Sequence, residues 1–165
     1  MGSITKLNVD GISYDIGPGG WKISATVYSG GWFRIAESSS LNINVGTFWV
    51  TGIGMGDYDV FSIDAGNAIS KNPILVQNFC SKYSSSGITK VRWYIANNRS
   101  YLEIYVDYYD DETVTVQFAG NGWQAVSPFT AGAMPTNATN IELTLVNGAG
   151  GGQSYVNGDT LILLQ

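Results

Sequence analysis

The chain contains no histidine and a single cysteine, Cys80. The absence of histidine removes serine and cysteine triads of the usual type, together with histidine-bearing zinc sites. One cysteine excludes an intrachain disulfide and any thiolate cluster, and Cys80 reads as a small buried hydrophobe. A secreted β domain of this size often carries a disulfide, so its absence is compatible with folding in a reducing cytoplasm. Charge is also scarce, at 13% of 165 residues, with eight Lys and Arg against thirteen Asp and Glu for a net of −5. The few cations are scattered, so the clustered positive charge that displaces counterions from nucleic acid is missing, and anionic membrane surfaces are poor partners. Apolar runs are too short for a membrane span, and the start lacks the charged-then-apolar form of a signal peptide. No window sustains apolar residues at spacings of three and four, so almost no helix is expected.

What is abundant is glycine (21 residues), with many Thr, Val, Ile, Tyr and Trp. That is the profile of an all-β protein with many turns, and the length suits one domain with a real core. The clearest pattern spans Gly87 to Phe118. Val91, Trp93 and Ile95, then Leu102, Ile104 and Val106, then Val114, Val116 and Phe118 alternate with Arg92, Tyr94, Glu103, Tyr105, Thr115 and Gln117. This predicts three antiparallel strands in a meander, one face buried and one wet, with turns at Asn97-Asn98-Arg99 and Asp110-Asp111. Leu7 and Val9, the Asp10-Gly11 turn, then Ile12, Tyr14 and Ile16 predict a short opening hairpin. Gly17-Pro18-Gly19-Gly20 then breaks the chain. Further strands are expected at Gly46–Ile53, Ile141–Leu145 and Leu161–Leu164, with a polar loop over Pro128–Asn140 and a glycine-rich loop over Asn147–Ser154. Nine or ten strands suit a two-sheet antiparallel β-sandwich.

Two segments carry a resemblance. The opening ITKLNVDGISYDI is similar to a segment found near modules of bacteriophage tail fibres and baseplate proteins. Gly30–Glu37, GGWFRIAE, resembles the start of C-terminal head domains in such fibres, and Lys90-Val91-Arg92 with Tyr101-Leu102-Glu103-Ile104-Tyr105 follow in the order those heads show. The resemblance covers most of Gly30 to about Phe118 plus the opening hairpin. It implies a jelly-roll-like head, usually a homotrimer, that recognises a host surface. Two departures stand out: no shaft or collagen-like repeats precede the head, and Ser38–Ser40 is a plain serine turn. The expected organisation is an attachment hairpin over residues 1–17 and a sandwich head over 18–165.

Candidate chemistry is thin. Gly148–Gly152 lacks the Lys and Ser/Thr of a phosphate loop and reads as a surface loop. Asp107, Asp110, Asp111 and Glu112 form the densest acidic group, yet lack the spacing of a known calcium loop, so no cofactor is expected and calcium is the alternative. Four Glu and nine Asp offer no pair held at a set separation, so the expectation is a protein that is not an enzyme. Five Trp and ten Tyr are the most suggestive feature, because aromatic faces stack on sugars and dominate recognition surfaces. Trp93 is assigned to the core, while Trp21, Trp32 and Trp123 follow glycine, where side chains are more often accessible. The candidate ligand-binding residues are Asp57, Tyr58, Asp59, Asn121, Trp123, Gln153 and Tyr155, on loops Gly54–Asp59, Gly120–Trp123 and Asn147–Ser154. Tyr94, Tyr101, Tyr105 and Tyr109 are the candidate subunit interface.

The expectation is thus a non-enzymatic head of a tail fibre or receptor-binding protein, assembled in the host cytoplasm and carried on the virion. Its partners would be its own copies in a homotrimer, other tail proteins, and a bacterial surface glycan or protein, with no nucleic acid and no membrane insertion. The alternatives are a structural decoration or baseplate protein, a free carbohydrate-binding module and, weakest, a depolymerase fragment.

Overall fold

Alternation of β-branched and aromatic residues with polar ones suits a pleated surface buried on one side. The computed structural model bears this out: among the described residues the chain forms fourteen strands and no helix. It describes residues 6–9, 12–15, 20–38, 44–54, 58–66, 74–81, 87–107, 111–131, 134–136, 138–144, 153–156 and 162–163. In chain order these are β1 (Lys6–Val9), β2 (Ile12–Asp15), β3 (Trp21–Val27), β4 (Gly31–Ser38), β5 (Val45–Ile53), β6 (Tyr58–Ala65), β7 (Ile74–Ser81), β8 (Gly87–Ala96), β9 (Arg99–Asp107), β10 (Glu112–Asn121), β11 (Trp123–Ala131), β12 (Thr139–Thr144), β13 (Gln153–Val156) and β14 (Ile162–Leu163).

β1 and β2 pair with each other as the expected hairpin, Val9 opposite Ile12. The remaining strands make two antiparallel sheets packed face to face. The large sheet runs β14-β13-β7-β6-β5-β10-β3, and the small one β11-β4-β9-β8-β12. The chain crosses repeatedly between them, from β3 to β4, β4 to β5, β7 to β8, β9 to β10, β10 to β11 and β12 to β13. The result is an all-β, two-sheet antiparallel β-sandwich.

The core lies between the sheets. Phe48, Val50, Phe61, Ile63, Val114 and Val116 of the large sheet meet Ile35, Val91, Trp93, Leu102, Ile104 and Val106 of the small one. Each such side chain removed from water contributes about 1.5–3 kcal/mol. One end is aromatic: the Phe48 and Phe118 rings lie 4.7 Å apart, with Trp21 and Trp123 packed edge-on against Phe48 at 5.8 and 5.5 Å. Gly46 and Gly120 sit opposite each other beside this cluster. A Cβ on Gly46 would run into the Phe118 ring and the Ala119 carbonyl, so the aromatic end requires glycine there.

Two expectations about the central meander separate here. β8 and β9 form the predicted hairpin, with Ala96 opposite Arg99 and both Asn97 (φ 50°) and Asn98 (φ 58°) left-handed. That two-residue turn matches the strands' right-handed twist, and asparagine tolerates it best after glycine. The third strand, however, leaves the sheet. β10 joins the large sheet between β5 and β3, so β9 and β10 are not hairpin partners as expected; Asp110, half of the expected turn, lies outside the described residues. Alternation marks a buried face but does not say which neighbour supplies the hydrogen bonds. Pro128 also falls inside a strand, β11, at the edge of the small sheet where the register slips between Ala125 and Thr130. Proline, which cannot donate to a ladder, is tolerated at such a place. The Gly17–Gly19 break, the Ser39–Ser40 part of the serine turn, and the glycine-rich segment 147–152 lie outside the described residues.

Candidate functional site

The sandwich has two outer faces, and each contains side chains capable of recognition. On the small sheet, the register of β8, β9 and β4 builds three rungs. Lys90, Tyr105 and Trp32 form one; Arg92, Glu103 and Arg34 the next; Tyr94, Tyr101 and Glu37 the third. Alternation placed Arg92, Tyr94 and Glu103 on the wet face, and they do point away from the core. They are nevertheless buried, because the rungs cover one another.

Glu103 is the centre of this mat. Its Oε2 accepts from Arg92 Nε at 2.7 Å and from Arg92 Nη2, and its Oε1 accepts from Tyr94 Oη at 2.9 Å and Arg34 Nε at 3.3 Å. Tyr94 Oη in turn accepts from Arg34 Nη2 at 2.7 Å. The Arg92 guanidinium lies 4.0 Å over the Trp32 ring and that of Arg34 4.3 Å over Tyr101, while Tyr94 and Tyr101 stack with centroids 4.9 Å apart. Burial and donation to the Glu103 carboxylate push the Tyr94 phenol from 10.0 to about 12. Burial works against the charge of Arg34, but its bonds to Tyr94 and Glu103 outweigh this and hold its pKa above the ordinary value. At the rim, Arg34, Tyr94, Ala96, Asn97, Tyr101 and Pro135 line a shallow cleft of about 200 Å³.

The outer face of the large sheet is built differently. Val27, Phe48, Val50, Phe61, Ile63, Val114, Val116 and Phe118 are the inward set, so their neighbours in sequence point outward. Register aligns these into rows: Lys22, Gln117, Trp49 and Ser62; then Ser24, Thr115, Thr51 and Val60; then Thr26, Thr113 and Ile53. Hydroxyls pair across strands, Ser24 Oγ with Thr115 Oγ1 at 2.9 Å and Thr26 Oγ1 with Thr113 Oγ1 at 3.3 Å. Thr47 Oγ1 donates to Asp64 Oδ1 at 2.6 Å. Along β5, Val45, Trp49 and Ile53 remain 53%, 44% and 62% exposed, well above what large apolar side chains in an interior strand usually keep.

Among the described residues, those expected to bind ligand do not converge. Asn121 is exposed at the end of β10 opposite Val45, whereas Tyr58 starts β6 opposite Ile53. These are the two ends of β5, about 25 Å apart at the rise of a strand. Trp123 belongs to the core, packed on Phe48 with its carbonyl accepting from Trp21 Nε1 at 3.0 Å, so it presents no ring to a ligand. Asp59 is also buried, its Oδ2 accepting from the Ile88 N–H at 2.9 Å and joining β6 to β8. Gln153 and Tyr155 lie in β13, paired with Asn78 and Val76. Asp57, and the side chains of Tyr58, Gln153 and Tyr155, lie outside the described set, as does that of Cys80.

The tyrosine face is corrected as well. Tyr94 is fully buried and Tyr101 nearly so within a single chain, so neither has area to offer a second subunit. Tyr105 is half-buried against Trp32, and Tyr109 lies outside the described residues. Trp49 is the residue that sequence reasoning passed over. Its signal was present: Phe48 and Val50 set the inward parity of β5 and force the indole out. No family model matches this chain, and comparison with curated proteins and with solved structures finds no match. The functional reading therefore rests on the geometry and chemistry of the two faces. Among the described residues no group of His, Cys, Asp and Glu is arranged to hold a metal, and no helix is long and apolar enough to cross a membrane.

Proposed function

We propose that this chain is a non-catalytic recognition head of the virion-fibre type, which holds a bacterial host surface through the outer face of its large sheet. The observation that carries the reading is the exposed series Val45, Trp49 and Ile53 along β5, a strand held on both sides by neighbours in the sheet. Large apolar side chains displayed from a rigid element bind at little entropic cost. The described carboxylates nearest in character to catalytic ones support a non-catalytic role, since each is committed to a bond within the fold. Glu103 is enclosed by two guanidiniums, Asp59 holds the Ile88 amide, and Glu142 pairs with Lys90 at 3.2 Å. Assembly as a trimer multiplies weak single-site binding through effective concentration.

The test is binding of fluorescently labelled protein to intact cells from a panel of bacteria, with oligomeric state measured by light scattering. Saturable binding to some strains, carried by an oligomer, is the expected result. A strictly monomeric protein that binds no strain overturns the reading. A second reading, a structural virion component, is favoured by the aliphatic character of Val45 and Ile53, which suits a protein contact. It takes over if an oligomer forms but no cell is bound.

A further inference from the structure

We propose that the rows around Trp49 form a platform for an uncharged polysaccharide segment, a proposal that rests on the recognition reading and names its ligand class. Three features converge. First, Trp49 stands among hydroxyls and the Gln117 amide, with the exposed Val45 and Ile53 four residues away along β5 on either side and Val60 in the next row, so the large apolar side chains are spaced out rather than clustered. Gln117 and Lys22 flank Trp49 on one side, Ser62 lies on the other, and Thr51 and Thr115 occupy the next row. The core of a protein interface needs a cluster of large apolar side chains that exclude water together. A sugar needs one aromatic plane for its C–H face and polar groups around it for its hydroxyls.

Second, the charge is right for a neutral chain. Among the described residues of these rows the only ion is Lys22, on the edge strand β3, while nearby Asp64 is held by Thr47. An acidic polymer would find no guanidinium to pair with here, since Arg34 and Arg92 are engaged on the opposite face.

Third, the platform is pre-organised. The paired hydroxyls of Ser24 with Thr115 and of Thr26 with Thr113 hold one another in place, each keeping capacity for a further bond. Ser62 points outward yet is only 3% exposed, while its cross-strand partner Trp49 keeps 44%.

The experiment compares wild type with Trp49→Ala, Trp49→Phe and Gln117→Ala. Binding is measured to intact bacteria, to the same cells after periodate or protease treatment, and to soluble neutral (dextran, mannan) and acidic (alginate) polysaccharides. Trp49→Ala should weaken binding at least about tenfold, and Trp49→Phe less. Periodate, which cleaves sugar diols, should abolish cell binding and protease should not. Raising NaCl from about 50 to about 500 mM should leave affinity nearly unchanged, as for an uncharged ligand. Circular dichroism and melting of each variant confirm that the fold is intact. Cell binding that survives Trp49→Ala, is lost to protease rather than periodate, or is matched by alginate alone overturns the platform but leaves recognition standing. Dextran or mannan binding through Trp49 without binding to any cell keeps the platform and removes host recognition. Absence of both sinks the two together.

Discussion

Both outer faces of this sandwich carry aromatic and polar side chains on alternate strand positions, yet one closes on itself and the other stays open. The small sheet presents long side chains of both signs in register, Arg34–Glu103–Arg92, flanked by tyrosines and a tryptophan. Arginine stems and rings are long enough to fold over their neighbours, so the face becomes a second, polar layer of packing with Glu103 sealed beneath it. The large sheet presents mostly Ser, Thr and Gln, which are too short to cover their neighbours, and Val45, Trp49 and Ile53 stay exposed along β5 among them. The difference teaches that exposure on a β face depends on side-chain length and charge pairing as much as on parity. The closed face spends its chemistry on stability; the open face keeps it available.

That contrast can be broken from either side, and the largest effect is expected on the closed face. Glu103→Ala leaves the buried Arg92 and the half-buried Arg34 without their shared carboxylate. It should cost about 3–5 kcal/mol, read as a lower urea midpoint. A loss below about 1 kcal/mol would mean that water reaches the mat and the face is not closed.

Tyr94→Phe removes one hydroxyl that both donates to Glu103 and accepts from Arg34. A loss of about 1–3 kcal/mol is expected, with the backbone unchanged by circular dichroism. The same hydroxyl sets an alkaline limit. With its folded pKa raised from 10.0 to about 12, Tyr94 stays protonated in the fold while the unfolded chain ionises. Its contribution is therefore full below pH 10 and is lost as pH rises to about 12. Denaturation midpoints across that range should fall less steeply in Tyr94→Phe than in wild type.

The open face should respond less. Trp49→Ala is expected to change stability by about 1 kcal/mol or less, the scale of strand preference at a partly exposed position. A cost of several kcal/mol would show that the indole packs rather than waits for a ligand. The exposed Lys90–Glu142 pair on the small sheet gives a charged control, and Lys90→Ala should fall within about 0.5 kcal/mol.

Strand content and the two-sheet class were legible because the period of two is written directly into β5, β8, β9 and β10. Val91, Trp93, Leu102, Ile104, Val106, Val114, Val116 and Phe118 all lie in the core where alternation placed them. The candidate site was far less legible. A tryptophan after a glycine was read as accessible, yet Gly122 (φ 82°) turns the chain sharply from one sheet to the other and drives Trp123 inward. Alternation makes Tyr94 and Tyr101 a candidate subunit interface because parity counts the core as the only place to be buried within one chain. Their burial depends on Arg34, a residue 60 positions from Tyr94 in the chain.

By itself, then, the sequence determined what the chain cannot do with histidine or thiol chemistry, that it is built of strands, and which side chains face the core. Those properties are local or compositional: a missing residue type is missing in any fold, and the pleat alternates wherever a strand forms. Only the tertiary structure decided that β10 leaves its neighbours for the other sheet, that Glu103 lies between two arginines, and that Trp49 stands open on a neutral face. Each of these depends on pairing between distant segments, where register is set by the packing of the whole core rather than by any one strand.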